Sequence, residues 1–144
     1  MSVAGGRGPI VIDTNVFSAD LIPRSPLTAA YAPLIAGRPA FISFQTAAEL
    51  RYGAVRRGWG GARMLKLEAK LAQAEIVHSG HELVVVCADL RSRCEAVGHA
   101  LCQKEHNADL WIAATAIRLG IPLVSDDGIF RDAPSLRLES LADI

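Results

Sequence analysis

Four acidic side chains in this chain are placed where a parallel α/β sheet would gather them. Asp13 directly follows the short apolar run 9–12, and Glu49 lies in the first turns of the helix predicted after a second strand. Asp109 lies in the first turn of an apolar helix, and Asp127 comes just after the apolar segment that ends at Val124. Ligands of open α/β sheets collect at the carboxyl ends of the strands. The four carboxylates are therefore predicted to converge on one edge of the sheet.

Each acid also has a purely structural interpretation. Asp13 could cap a helix, and Glu49 could be an exposed helix carboxylate. Asp109 could complement a helix N-terminus, which is worth about 0.3 to 1 kcal/mol, and the segment 126–128 could be only a turn. Each structural interpretation could hold for one acid alone, but chance would rarely place all four acids on one edge of the sheet. The sequence therefore favours a shared site.

Four carboxylates in one cleft predict a divalent cation. Their charges repel, and some of them would take up protons unless a cation balanced them. Ligation by oxygen alone favours Mg²⁺, or Mn²⁺ in its place, over zinc. Such an ion joins carboxylates to a substrate phosphate and activates water. Since no nucleotide-binding motif is present, hydrolysis of a phosphodiester is the predicted chemistry.

Short apolar segments alternate with helical segments along the chain. Strands are predicted at 9–12, 39–43, 75–78, 121–124 and 135–138, and helices at 25–36, 45–57, 61–74, 82–97 and 107–119. Ser25 and Asn107 are the predicted N-caps of two of these helices, and Gly98 and Gly120 are predicted to end two. This alternation is typical of α/β proteins. The predicted fold is one domain with a short central parallel sheet flanked by helices on both faces.

Length and composition restrict the class of protein. The 144 residues fit one domain, and a hydrophobic content of 51% with a formal net charge of +0 excludes intrinsic disorder. No window of about 18 residues is free of charge, so no membrane span is expected. Residues 1–8 lack the apolar stretch of a signal peptide. We expect a cytoplasmic protein with a flexible leader over 1–8 and a domain over 9–144. The three cysteines form no zinc-binding pair and are predicted to be buried thiols.

The acids lie in four motifs that resemble those of the PIN-domain family, most closely the VapC-type toxins of bacterial toxin–antitoxin pairs. The matching segments are 10–15, 43–50, 109–116 and 123–130. The resemblance implies a Mg²⁺-dependent endoribonuclease acting on single-stranded regions of tRNA, rRNA or mRNA. It also implies homodimers, and a small VapB-like antitoxin that inserts a segment into the active-site groove and forms a higher assembly.

The resemblance also implies a role for each matching residue. Asp13, Glu49, Asp109 and Asp127 match the acidic quartet of the family. Asp13 and Asp109 correspond to the core metal ligands, and Glu49 and Asp127 complete the site or hold waters. Asn15 resembles the residue that orients the first aspartate.

The fourth motif leaves a choice between two neighbouring aspartates. Ser125 stands where the family usually has threonine, and one variable residue then precedes the acid. By that count Asp127 faces the metal. Because successive side chains of an extended segment point to opposite sides, Asp126 is predicted to be turned away. It could then act as a turn residue that accepts backbone hydrogen bonds near Gly128.

A basic stretch follows Glu49. Tyr52 and Arg56 come three and seven residues after Glu49 and are predicted to share its helix face. Arg56 could contact an RNA phosphate and Tyr52 could stack on a base, although a solvated helix face is an equal alternative. His106, just before the third motif, is the only histidine expected near the cleft.

Other functions share some of these sequence features. A phosphoacceptor receiver domain also clusters aspartates at strand ends, but it needs paired acids after its first strand and a lysine after its last, and both are missing here. A PIN module that only binds RNA is disfavoured by the complete quartet. A metal-dependent DNA nuclease on the same fold and an RNA-processing PIN nuclease that is not a toxin remain alternatives.

Overall fold

A computed structural model describes residues 8–142, in which pairs of α-helices separate the first four of five short strands. The strands are β1 (Ile10–Ile12), β2 (Ala40–Ser43), β3 (Glu75–Val77), β4 (Leu123–Val124) and β5 (Leu138–Glu139). The helices are α1 (Thr14–Phe17), α2 (Pro26–Ile35), α3 (Phe44–Arg56), α4 (Gly61–Leu71), α5 (His81–Val97) and α6 (Asn107–Leu119). Short 3₁₀ helices cover Ala19–Leu21, Ala100–Cys102, Lys104–His106 and Gly128–Phe130. Of the leader predicted over 1–8, all but Gly8 lies outside the described residues.

All four strand pairs are parallel, and the strand order is β3-β2-β1-β4-β5. The central strand is β1, whose Val11 lies opposite Phe41 of β2 on one side and Leu123 of β4 on the other. The carboxyl ends of β1, β2 and β4 therefore meet at one edge of the sheet. The predicted fold class is confirmed.

Helices cover both faces of the sheet, and successive residues of β1 enter opposite cores. Val11 packs with side chains of α5 and α6, including Leu90 and Ala113. Ile10 and Ile12 pack with side chains of α2, α3 and α4 on the other face. Because both faces are buried, β1 is a continuous apolar run rather than an alternating one.

Capping residues and glycines set most helix ends near the predicted positions. Ser25 accepts a hydrogen bond from the Leu27 amide at 3.4 Å and starts α2. Gly98 and Gly120 adopt the left-handed conformation after α5 and α6, with φ of 74° and 68°. Asn107 is not an N-cap as predicted. It is the first residue of α6, because the preceding 3₁₀ turn leads directly into the helix.

The last predicted strand lies further along the chain for a local reason. The last strand is Leu138–Glu139 rather than 135–138, because Ser135 has a φ of 65° that no strand residue adopts.

Cys87 and Cys94 are buried and Cys102 is half-buried, and all three are free thiols. Within residues 8–142, no helix combines the length and the apolar character needed to cross a membrane.

Candidate active site

Asp13 lies where β1 ends and α1 begins, with only 4% of its surface exposed. One of its carboxylate oxygens accepts a hydrogen bond from the Thr14 amide at 2.8 Å. The other accepts a hydrogen bond from the Ser125 hydroxyl at 2.7 Å. Asp13 thus caps α1, as its structural interpretation required, and is also held from β4 at the carboxyl edge of the sheet.

The environment of Asp13 makes its charge unfavourable. Burial raises the pKa of Asp13 to about 6, although the hydrogen bonds from Ser125 and Thr14 favour the charged form. The negative charges of Asp109 and Asp127 raise this pKa as well. A cation beside Asp13 would offset both the burial and the repulsion.

The Thr14 side chain connects Asp13 to Glu49 on α3. The Thr14 hydroxyl donates to the Glu49 carboxylate at 2.7 Å and lies 3.0 Å from the Thr46 hydroxyl. Partial desolvation raises the pKa of Glu49, the Thr14 hydrogen bond lowers it, and the charge of Asp109 raises it. Thr14 was not predicted as a site residue, and its position directly after Asp13 was the only signal.

Asp109 lies in the first turn of α6 and is half-buried. Its carboxylate is 3.3 Å from Nδ1 of His106, the histidine expected near the cleft. Burial raises the pKa of Asp109, the contact with His106 lowers it, and the charge of Asp127 raises it. The helix N-terminus therefore presents this acid to the same edge as Asp13.

The two neighbouring aspartates after β4 have different surroundings. The Asp127 amide donates to the Ser125 hydroxyl at 3.0 Å, and its carboxylate accepts from the Ile129 amide at 3.0 Å. Asp126 instead accepts a 2.6 Å hydrogen bond from the hydroxyl of the buried Tyr31 on α2. The turn role that the sequence assigned to Asp126 is thus carried out by Asp127. No sequence pattern indicated Tyr31.

Charge interactions link all four acids of the predicted quartet. Asp109 and Asp127 act on Asp13, Asp127 acts on Asp109, and Asp109 acts on Glu49. The structure therefore brings these side chains to one cleft, which we call the acidic cleft.

The donor set of the acidic cleft is compatible with Mg²⁺. Over residues 8–142, no three acidic, histidine or cysteine side chains are close enough to surround an ion by themselves. A structural zinc site would need such a closed set of protein ligands. Mg²⁺ instead keeps several waters and is held by one or two carboxylates. A set of oxygen donors that leaves room for waters is therefore compatible with Mg²⁺ or Mn²⁺.

Three further predicted site residues lie away from these contacts. Asn15 is exposed on α1, and the hydrogen bonds that hold Asp13 come from Thr14 and Ser125 instead. Tyr52 is 64% exposed, and Arg56 is exposed at the last residue of α3. Both therefore point to solvent on the helix that carries Glu49.

Comparison with known proteins gives the class of this chain. The sequence profile of the PIN domain matches residues 10–136, so the chain belongs to the PIN-domain family, whose members are nucleases. A search of curated proteins found no match.

Solved structures that resemble the chain include a member of the VapBC family of toxin–antitoxin systems. VapBC2 from Rickettsia felis, bound to a promoter DNA fragment, matches with 25% identity and a TM-score of 0.75, covering 92% of this chain and 98% of that one. FitAcB from Neisseria gonorrhoeae matches with 26% identity and a TM-score of 0.70, covering 90% and 95%. VapBC-5 from Mycobacterium tuberculosis matches with 28% identity and a TM-score of 0.64, covering 90% and 96%. The resemblance to VapC-type toxins that the motifs indicated is confirmed.

Proposed function

We propose that this chain is a Mg²⁺-dependent endoribonuclease that cleaves single-stranded regions of RNA and acts as a toxin neutralised by a small antitoxin. The observation that carries the proposal is the acidic cleft, in which Asp13 has a pKa raised to about 6 by burial and by neighbouring carboxylates. Groups with strongly perturbed pKa values in a cleft are typical of functional sites. A metal-dependent phosphodiester nuclease needs carboxylates gathered at one edge in this way.

Asp13 and Asp109 are the proposed principal ligands of the ion, with Glu49 and Asp127 holding its waters. When bound, Mg²⁺ would polarise the phosphodiester and stabilise the developing charge on the leaving oxygen. Burial is the main reason that the pKa values of Asp13, Glu49 and Asp109 are raised, and a cation bound between them would offset that cost of ionisation.

The other side chains of the cleft orient these carboxylates. The Ser125 hydroxyl donates to Asp13 and accepts from the Asp127 amide, so one serine sets the position of two acids. The Thr14 amide and hydroxyl hold Asp13 and Glu49 in the same way. Such hydrogen bonds to ligating carboxylates fix the ligand geometry before the substrate arrives.

The toxin role is supported by the similar structures. Their names describe VapBC and FitAcB complexes, and the match spans at least 90% of this chain and at least 95% of each of those three chains. We propose a small VapB-like antitoxin as the partner of this chain, a homodimer as its own state, and a higher assembly of the two.

Cleavage of matched RNA and DNA oligonucleotides tests the proposed activity. The purified chain should cut a single-stranded RNA in Mg²⁺ or Mn²⁺, leave it intact in EDTA, and leave DNA of the same sequence intact. Asp109→Asn should lower the rate about 10²-fold or more, the scale expected for groups acting in the transition state. Asp89→Asn changes an exposed carboxylate on α5 and is the matched control.

Each part of the proposal can fail separately in this assay. Preferential cleavage of DNA would replace the ribonuclease by a DNA nuclease on the same fold. Cleavage that persists in EDTA would refute the metal dependence.

Growth of a bacterial host tests the toxin role. Induction of the chain should arrest growth, and co-expression of the small reading frame beside its gene should restore it. Sequencing of RNA 5′ ends after induction would identify the cleaved RNA. A chain that cleaves RNA without arresting growth would instead be an RNA-processing nuclease.

A further inference from the structure

A cavity of about 490 Å³ lies beside the acidic cleft, between the 3₁₀ helix Ala19–Leu21, α3 and α4. Glu49 lines it and also belongs to the acidic cleft, so the two sites adjoin. We call it the basic cavity.

The lining of the basic cavity combines positive charge with apolar surface. It includes the cations Arg57, Arg63 and Lys66, against the single carboxylate of Glu49. Leu21, Leu50 and Leu67 are among the remaining lining residues and supply apolar surface. A ligand that carries both an anionic group and a flat apolar ring matches this lining, and the volume is in the usual range for small-ligand pockets, about 300 to 1,000 Å³.

Trp59 contributes a hydrogen-bond donor that is unused within residues 8–142. Its indole nitrogen is buried and has no hydrogen-bond partner there. The guanidinium carbon of Arg63 lies 5.9 Å from the centre of the Trp59 ring, which places this cation beside the aromatic surface. Buried polar groups are rarely left unpaired, so the donor points to a ligand with an acceptor atom.

Arg57 is folded back along α3 toward Glu49. A Cβ atom at Gly53 would lie only 3.1 Å from Nη1 of Arg57, so the guanidinium occupies space that a side chain at Gly53 would need. Glu49, Gly53 and Arg57 are four residues apart in succession and form one stripe of the helix. Arg57, rather than the predicted Arg56, therefore lines the path that leads away from the acidic cleft.

We propose that the basic cavity binds a nucleotide of single-stranded RNA adjacent to the scissile phosphate, an inference that rests on the proposed nuclease function. Arg57, Arg63 and Lys66 contact its phosphate group. The Trp59 N–H donates to an acceptor on the edge of its base. The cavity thereby sets the register of the strand across the acidic cleft and a base preference next to the cut.

Binding of a fluorescent single-stranded oligoribonucleotide in EDTA tests the cavity without cleavage. Arg57→Gln should weaken binding about tenfold and reduce the slope of log affinity against log salt by about 0.7, the value for one lost contact to single-stranded nucleic acid. Arg91→Gln removes an exposed arginine of α5 and is the matched control, with unchanged affinity and slope.

Two further variants separate positioning from charge. Gly53→Ala keeps every charge and improves helix propensity, but it displaces Arg57 and should weaken binding about threefold. Trp59→Phe removes the unused donor, so it should weaken binding about fivefold with an unchanged salt slope. Because Trp59 also packs against the core, binding by this variant is compared with wild type at a temperature where both are folded.

The outcomes distinguish this proposal from the proposed function. If wild type cleaves RNA in Mg²⁺ but the three cavity variants bind RNA as wild type does, the cavity proposal is wrong and the nuclease stands. If wild type binds RNA with the predicted variant effects but cleaves none, the cavity stands and the nuclease is wrong. Failure of wild type to bind RNA in EDTA overturns the cavity proposal, whereas cleavage in Mg²⁺ still decides the nuclease. Variants that bind RNA normally but escape the antitoxin would show that the cavity docks a protein.

Discussion

Raising the pH should destabilise this chain in the absence of metal, because Asp13 is buried beside two other acids. Its pKa moves from the ordinary 3.8 of an aspartate to about 6 in the folded chain. The folded state therefore holds a proton on Asp13 that the unfolded state has already released. Between about pH 4 and pH 6 stability must fall with rising pH, because the folded state binds more protons in that window.

The expected loss is about 3 kcal/mol, since each pKa unit is worth about 1.4 kcal/mol. The stabilisation is fully present below about pH 3.8 and is lost once the pH exceeds about 6. The pKa values of Glu49 and Asp109 are also raised, so both groups add to the loss in the same direction. Because Asp13 is only 4% exposed, solvent screening reduces its effect little.

Urea unfolding in EDTA at pH values from 4 to 7.5 measures this loss. With the usual urea dependence of about 1 to 3 kcal/mol per molar for a small protein, the midpoint should fall by about 1 to 3 M across the range. Asp13→Asn should remove most of the pH dependence, and Asp89→Asn, on the exposed face of α5, should keep it. A wild-type midpoint that stays constant or rises with pH would refute the reasoning.

Three other predictions follow from the same contacts. Asp109→Asn should raise the melting temperature in EDTA and abolish stabilisation by Mg²⁺, and equal Mg²⁺ shifts in variant and wild type would contradict a shared metal site. Asp127→Asn should lower the rate of RNA cleavage about 10²-fold or more. Asp126→Asn keeps the oxygen that accepts the Tyr31 hydrogen bond and should retain most activity. Cleavage rates at saturating Mg²⁺ that rank the two variants in the opposite order would reverse the assignment. Arg38→Ala should lower the unfolding free energy by about 3 to 5 kcal/mol, because the buried side chain of Arg38 pairs with Glu139 at 2.8 Å. A loss below about 1 kcal/mol in urea unfolding would show that the pair contributes little.

Helical spacing alone could not identify which residues of α3 line the basic cavity. Helical spacing places Tyr52 and Arg56 on the same side of α3 as Glu49. The same spacing places Gly53 and Arg57, at successive steps of four residues, on that side as well. The packing of α4 and of the 3₁₀ helix Ala19–Leu21 against α3 decides which of these residues line the basic cavity, and Gly53 and Arg57 line it. Trp59, after the helix ends, could join this lining only through the turn between α3 and α4.

Some residues of the acidic cleft could be predicted from local sequence patterns, whereas others depend on contacts between distant parts of the chain. The positions of Asp13, Asp109 and Asp127 could be predicted from the sequence, because short apolar strands and helix starts are local patterns and parallel strands must share an edge. The hydroxyls that hold these acids, and the Tyr31 hydroxyl that takes Asp126 out of the cleft, depend on contacts between residues up to 112 positions apart. Periodicity carries no information on such pairs. Only the packing of α2 and β4 around β1 determines them.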